Sequence, residues 1–463
     1  MTDLADLLQP DRGQPARSLH LVDKKGLDAW LKGQPERVRQ AVAAAGFKAD
    51  GYQFALLPGD KAGDWSAALG VADADAPSVW CLAKAAELLP EGSYRVAGRS
   101  PGPATLGWLL GQYRFDRYKS EPAAKGARIL LTDEPARIAE TVAIARSTHM
   151  VRDLVNLPAQ DLGPAELESA VADAAKDWSA ALATTSGAKL QAEYPMVHAV
   201  GAAAAPDRAP RLIELEWGDP KHPRIALVGK GVVFDSGGLD IKTSAGMRLM
   251  KKDMGGAAHA LALARLAMEN RLPVRLHLLI PAVENAISGA AFRPGDILRS
   301  RKGLTVEIGN TDAEGRLILG DAIAKAAEAK PELILDFATL TGAARVALGP
   351  DLPAMFANRD ELADALLAAG EAVSDPLWRM PLWKPYDEML ASDVADLGNA
   401  AEAPMAGAVT AALFLQRFVP DEVAWAHLDT FAWRPAAKPG RPKGGDALGL
   451  RAAWQMLRER YRR

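Results

Sequence analysis

Apolar residues recur along this chain with two different periods, and the change of period marks out its organisation. Over roughly the first 120 residues, short β-like runs such as 52–57 mix with alanine-rich helical stretches, bounded by Pro and Gly at LLPGD and RSPGPA. A small α/β domain is predicted there. From 134 to 156 the apolar positions Ile138, Val142, Ile144, Met150 and Leu154 fall at helical spacing, and Leu157 and Pro158 close the run, which predicts a connecting helix. Beyond it, strand-like runs at 211–215, 225–228, 274–280 and 333–337 alternate with helical patterns at 257–268 and 317–329. Such alternation predicts a sheet whose strands run mostly parallel. The expected fold is α/β: a small N-terminal α/β domain, residues 1–150, ending in the connecting helix, and a larger C-terminal α/β domain, residues 151–463, with a mixed, largely parallel central sheet flanked by helices. No fixed-period repeat is visible, and the alanine tracts at 202–205 and 322–329 read as turn and helix filler.

Composition narrows the class. Of 463 residues, 49% are hydrophobic and 24% charged, a globular balance, and no window approaches the roughly 20 apolar residues of a membrane span. The opening MTDLADLLQPDRGQ carries acids where a secretory signal carries bases, so no export signal is expected. The single cysteine, Cys81, excludes an intrachain disulfide and a zinc site built from several thiolates, and a reducing cytoplasm is the expected compartment. Net charge is −3 with acids and bases interleaved, so nucleic acid is not an expected partner, and the basic end at 458–463 reads as a solvated helix terminus.

In sheets of this kind, chemistry gathers beyond the carboxyl ends of strands. Three segments there stand out: VGKGVVFDSGGLDIK with Lys230, Asp235 and Lys242; MKKDMGGAA with Met250 and Asp253; and NTDAEGRL with Asp312, Glu314 and Arg316. Singly, each has an ordinary reading: Asp253 and Asp312 precede helical patterns where capping acids are common, Glu314 favours a helix dipole, and a lone lysine is usually a surface group. Alternation would point Asp312, Glu314 and Arg316 the same way if that stretch is extended. Together, four converging acids would repel one another and raise their pKa values unless cations were present, and two divalent metals would supply about +4. Carboxylates suit Mn²⁺ and accommodate Zn²⁺, and a neutral Lys230 would add a nitrogen ligand. His259, inside the helical run, reads as packing.

These three phrases, in this order and spacing, resemble the leucyl aminopeptidases, or cytosol aminopeptidases, of the M17 metallopeptidase family. Further similarity lies at Arg152-Asp153-Leu154-Val155-Asn156, at Arg293-Pro294-Gly295-Asp296, at 336–343 and at 425–429, covering roughly the last 310 residues, with weaker echoes at Tyr113-Arg114-Phe115. The resemblance implies that residues 151–463 form a dinuclear metallopeptidase domain. One metal would be held by Lys230, Asp235, Asp253 and Glu314, and the other by Asp235, Glu314 and Asp312. It implies that Lys242 polarises the scissile carbonyl, that Arg316 holds a bicarbonate taking the proton of the attacking water, and that Met250, Thr339 and Gly342 line a pocket for an apolar first side chain. It further implies peptide substrates with a free N-terminus, a water bridged by two divalent metal ions (Mn²⁺ or Zn²⁺), and a homohexamer of two stacked trimers.

Two segments depart from the family pattern: Thr430-Phe431-Ala432-Trp433 places bulk where small residues are usual, and 444–451, expected to border the first side-chain pocket, lacks the usual threonine-glycine pattern. Two other readings compete. A two-metal phosphoesterase would favour histidine or asparagine ligands and gain nothing from Lys230. A hexameric regulatory or DNA-binding protein with a secondary peptidase activity lacks a basic stripe to support it.

Overall fold

Runs of buried, strand-forming residues build two main sheets, and the computed structural model, which describes residues 3–121 and 126–462, divides the chain into one unit around each. The first unit takes the chain up to His149 together with Ala436–Lys443; the second takes Met150–Pro435 and Gly444–Arg463, of which Arg463, the end of the basic tail, lies outside the described residues. The division falls inside the helix Ile138–Asn156.

The first unit carries six strands in the order Leu8–Pro10, Arg128–Thr132, Gly92–Val96, Arg17–Val22, Trp65–Gly70 and Phe54–Pro58, parallel except for the last pair. Its core buries Leu19, Tyr94, Trp108 and Leu130, and the Trp108 indole N–H donates to the Arg128 carbonyl at 2.9 Å, so the one polar atom of that side chain is satisfied. Cys81 is a buried free thiol. The returning segment Ala436–Lys443 belongs here because Arg441 covers the Trp80 ring at 4.2 Å and the Gly440 N–H donates to Glu87.

In the second unit the nine-stranded sheet runs Trp378–Arg379, Ala354–Ala357, Ala424–Asp429, Leu333–Ala338, Arg224–Gly229, Arg275–Asn285, Arg211–Trp217 and Ala181–Ser186, with Gly231–Asp235 also paired to Arg275–Asn285. The four central strands, from Ala424–Asp429 to Arg275–Asn285, are mutually parallel, and Gly231–Asp235 joins them in the same sense. Antiparallel pairs lie toward the edges. The central strands are buried throughout, as expected where helices cover both faces. One covering helix, Gly255–Glu269, lies so close that a Cβ on Gly256 would come within 2.1 Å of the Phe337 carbonyl oxygen; glycine permits this approach. Because the central strands share a direction, Lys230, Asp235, Asn285 and Thr339 all emerge at one end of the sheet. Among the described residues no helix is long and apolar enough to cross a membrane.

Candidate active site

Lys230 follows the strand Arg224–Gly229, and its backbone is fixed on two sides: its N–H donates to the Phe337 carbonyl at 3.0 Å, and its carbonyl accepts from Ala257 N–H at 2.8 Å. The side chain lies against Gly315, where a Cβ would meet Lys230 Cε at 2.5 Å, so only glycine there leaves the lysine its place. Asp235 ends the next strand, its Oδ1 accepting from Asn285 Nδ2 at 2.8 Å and from Gly237 N–H at 2.9 Å. The chain then turns back through Gly237 and Gly238, both at positive φ, and brings Lys242 to Asp235 at 2.9 Å and to Asp312. Asp253 sits in the short 3₁₀ turn Met250–Met254, with the Thr339 hydroxyl donating to its Oδ1 at 2.7 Å.

Asp312 and Glu314 arrive on a second loop. The Thr311 hydroxyl donates to the Gly237 carbonyl at 2.6 Å, the Thr311 N–H to Asp240 at 2.7 Å, and the Asn310 side chain accepts from the Asp312 N–H at 2.7 Å, which ties this loop to the one after Asp235. Neither aspartate caps a helix: the cap positions belong to Met254 and Ala313. The extended alternation expected for 312–316 does not form either. Glu314 opens the helix Glu314–Glu328, so Glu314 and Arg316 lie about 200° apart around its axis rather than on one face. Arg316 turns aside to donate from Nη1 to the Asn399 carbonyl at 2.7 Å.

The result is a cluster of acids with too few donors. One carboxylate oxygen each from Asp235, Asp312 and Glu314 lie within 4.8 Å of one another. Lys230 Nζ stands 2.7 Å from Asp253 Oδ2 and 2.8 Å from Glu314 Oε1, yet neither oxygen has a hydrogen bond of proper geometry, and the buried Glu314 Oε2 has no hydrogen-bond partner among the described residues. Burial, then the nearby Asp235 and Asp253 charges, push the Glu314 carboxyl up to about 8 against the pull of Lys230. Burial and Asp235 push Asp312 up to about 6. For Asp253 burial acts in the same direction, but Lys230, Lys252 and the Thr339 hydrogen bond outweigh it and hold the carboxyl below its ordinary value. Lys230 pays the same burial penalty, and Asp253, Glu314 and Asp235 more than reverse it, keeping its pKa above the lysine range. Burial pulls Lys252 down to about 8 and Arg316 to about 10.

This cluster forms the floor of a cavity of about 360 Å³. Lys230, Asp235, Lys242, Asp253, Asp312 and Arg316 line it; Glu314 is packed behind, 1% exposed. Met250, Thr339 and Gly342 line it too, so the candidate ligand, catalytic and pocket residues from Lys230 to Gly342 meet in one place. The segment 444–451, expected beside the first side-chain pocket, contributes none of the described lining: Asp446 is drawn between Arg152 and Arg434, and Leu448 N–H donates to His259 Nε2 at 3.0 Å. His259 is wholly buried, its other ring nitrogen 2.7 Å from the Gly255 carbonyl and its ring stacked on Phe337.

Known proteins resemble the chain in sequence and fold. Residues 149–453 match the family described as "Cytosol aminopeptidase family, catalytic domain", and residues 18–132 match "M17 aminopeptidase, N-terminal domain". The chain belongs to the cytosol aminopeptidase family. It is 40% identical over 407 residues to a probable cytosol aminopeptidase of Syntrophotalea carbinolica, covering 84% of this chain and 78% of that protein. It is 36% identical over 486 residues to one of Rhizobium meliloti, covering 99% and 96%. Among solved structures it is similar to a cytosol aminopeptidase from Coxiella burnetii, with TM-score 0.93, 45% identity and coverage of 99% and 100% of the two chains. It is also similar to the bottromycin maturation enzyme BotP in complex with Mn, with TM-score 0.86, 33% identity and coverage of 96% and 100%. As a member of this family the chain is an aminopeptidase, a hydrolase of peptide bonds.

Several positioning residues were not singled out from sequence. Asn285 holds Asp235, but the strand pattern was read only to 280, five residues short of it. Asp429 anchors the loop after the Leu333–Ala338 strand, accepting from the N–H groups of Leu340 and Thr341 and from the Thr341 hydroxyl at 2.6 Å. Asn399 holds Gly309 and Asn310 through its side chain and Arg316 through its carbonyl; no local pattern around it announces that role.

Proposed function

We propose that this chain is a metal-dependent aminopeptidase that removes single N-terminal residues from peptides, preferring apolar, leucine-like ones. The observation that carries this reading is the surplus of acceptors: four buried or half-buried acids converge with carboxylate oxygens that lack donors, an arrangement that costs free energy until cations fill it. The donor set fits two divalent ions. Lys230, Asp235, Asp253 and Glu314 would hold one, and Asp235, Glu314 and Asp312 the other, with Mn²⁺ and Zn²⁺ both compatible with such oxygen-rich ligation. To act as a nitrogen donor Lys230 must release the proton that Asp253 and Glu314 hold on it. When bound, the ions act as Lewis acids toward a peptide carbonyl and provide a nucleophilic water near neutral pH.

The chain's own residues supply the rest. Lys242 places a positive charge at the mouth of the cluster, where the carbonyl oxygen becomes an oxyanion. Arg316 is 9% exposed and its Nε has no partner among the described residues, which suits it to hold a small oxyanion such as bicarbonate beside the reacting water. Asp253 receives the substrate's free α-ammonium, and this anchor limits cleavage to the first residue. Met250, Thr339 and Gly342 provide the wall for its side chain. The names of the relatives and the single buried cysteine favour a cytoplasmic enzyme, and we infer the family's homohexamer for it.

The test is hydrolysis of leucine-p-nitroanilide by metal-stripped protein with Mn²⁺ or Zn²⁺ restored, alongside the N-acetylated substrate and Asp312→Ala. Metal-restored cleavage, lost on acetylation and in the variant, is the expected result. Binding of two metals without cleavage of any free-amine substrate would overturn the reading.

A further inference from the structure

We propose that Arg345 makes this aminopeptidase accept an acidic first residue, its guanidinium pairing with the side-chain carboxylate of an N-terminal Glu or Asp. The proposal rests on the aminopeptidase reading above and adds a substrate class to it.

Gly342 and Arg345 both line the cavity, one helical turn apart on the helix Gly342–Leu348. The guanidinium reaches back toward the start of that helix. Its Nη1 donates to the Thr341 carbonyl at 3.0 Å, and its Nη2 lies 3.5 Å from where a Cβ on Gly342 would stand. It therefore lies on the wall assigned to the first side chain. Its Cζ is 4.9 Å from the centroid of the Phe431 ring, and Lys252 Nζ is 5.5 Å from the same ring. Phe431 is part of the bulky segment that departs from the family pattern, and it holds two cations at the cavity by their attraction to its π face.

The charge balance on this wall is the reverse of that on the floor. Lys230 and Lys242 each contact two carboxylates. Lys252 has only Asp253, at 3.5 Å, an acid it shares with Lys230. No carboxylate lies within 4.0 Å of Arg345 among the described residues. Arg345 and Lys252 share an aromatic ring, and the one carboxylate within 4.0 Å of either, Asp253, is shared with Lys230, beside a pocket that receives a side chain. A glutamate entering there lays its methylenes along Met250 and brings its carboxylate to the open edge of Arg345, where a planar fork matches it. A lysine entering there meets repulsion.

The experiment measures kcat/KM for Glu-, Leu- and Lys-p-nitroanilide with the metal-loaded wild type, Arg345→Ala, Arg345→Lys and Arg345→Glu, and calorimetric binding of free L-glutamate and L-leucine. The wild type is expected to cleave the Glu substrate within about tenfold of Leu, and Arg345→Ala to lower the Glu/Leu ratio by about 10- to 100-fold, the worth of a charged hydrogen bond. Leu cleavage should fall by less than Glu cleavage, because only the Glu side chain carries a carboxylate for the guanidinium to pair with. Arg345→Lys should retain part of the ratio, and Arg345→Glu should shift preference toward Lys. L-glutamate binding should weaken in Arg345→Ala while L-leucine binding holds. A Glu/Leu ratio unmoved by Arg345→Ala, or a wild type that cleaves Leu but not Glu, would overturn the proposal and leave the aminopeptidase reading intact. Cleavage of none of the three by the wild type would overturn both.

Discussion

Two clusters of buried charge lie in the larger unit, and they are built on opposite terms. Around Asp446, one oxygen accepts from Arg152 Nε at 3.1 Å and Nη2 at 2.9 Å, the other accepts from Arg434 Nε at 2.9 Å, and Arg434 passes on to Asp351 at 2.6 Å. Acids and bases match in number and both Asp446 oxygens have donors. Around Glu314, carboxylate oxygens are left without hydrogen-bond donors among the described residues, although the burial of Glu314 and Asp253 is just as deep. The first cluster is complete as the chain makes it. On the function proposed above, added cations complete the second, and that distinction would separate a brace from a reaction centre more clearly than burial or perturbed titration does.

The comparison breaks if the two clusters respond alike to losing an acid. Glu314→Gln should lower kcat/KM by about 10³-fold or more, over 4 kcal/mol of transition-state stabilisation, in an assay of Leu-p-nitroanilide. Without metal, its melting temperature should hold or rise, because one of the mutually repelling carboxylates is gone. Asp446→Asn should do the reverse, costing about 3–5 kcal/mol of stability in denaturant titration by leaving two buried arginines uncompensated, with kcat of the folded fraction retained.

Acid sharpens this contrast. Burial pushes the Asp446 carboxyl up, but Arg152 and Arg434 hold it below its ordinary value, so the folded form binds its proton at lower pH than the unfolded chain does. Its contribution is therefore full above the unfolded aspartate pKa of about 4 and is lost as pH falls through the depressed folded value. Urea midpoints measured between neutral pH and pH 3 should fall more steeply for the wild type than for Asp446→Asn.

Two smaller effects bear on the reaction centre alone. Mn²⁺ at 100 times its dissociation constant should add about 2.7 kcal/mol of stability, read as a shift of the urea midpoint, and Glu314→Gln should remove most of that gain. Thr339→Val deletes the hydroxyl that holds Asp253 and should lower kcat about tenfold, roughly 1.5 kcal/mol, with the fold unchanged by circular dichroism.

What could be read from the sequence follows from where each signal lies. Lys230, Asp235, Asp253, Asp312 and Glu314 stood out because each adjoins a strand end or a helix start beside glycine, a local pattern that needs no knowledge of the rest of the chain. Three of the four central strands and the helices Gly255–Glu269 and Glu314–Glu328 were legible from their apolar periods, with Arg275–Asn285 read five residues short, whereas Ala424–Asp429 was not read as a strand. The geometry of 312–316 was not, because the helix begins at Glu314 and cancels the alternation that a strand would show. Asn285, Asn399 and Asp429 act across 50 to 90 residues of sequence, and hydrogen bonds at that range leave no period to detect. The same is true of Arg345: one arginine in a short helix has no distinguishing mark until the fold sets it beside Phe431 and Gly342.

The return of Ala436–Lys443 to the first unit also bears on how the protein is made. A chain emerging from the ribosome has the strands of that unit's sheet by His149, yet the piece that covers Trp80 and satisfies Glu87 emerges roughly 290 residues later, about 15 to 60 s at ordinary elongation rates. Through that interval the first unit lacks one of its own surfaces. Its final closure waits for Ala436–Lys443, after the candidate site residues from Lys230 to Gly342 have already been synthesised.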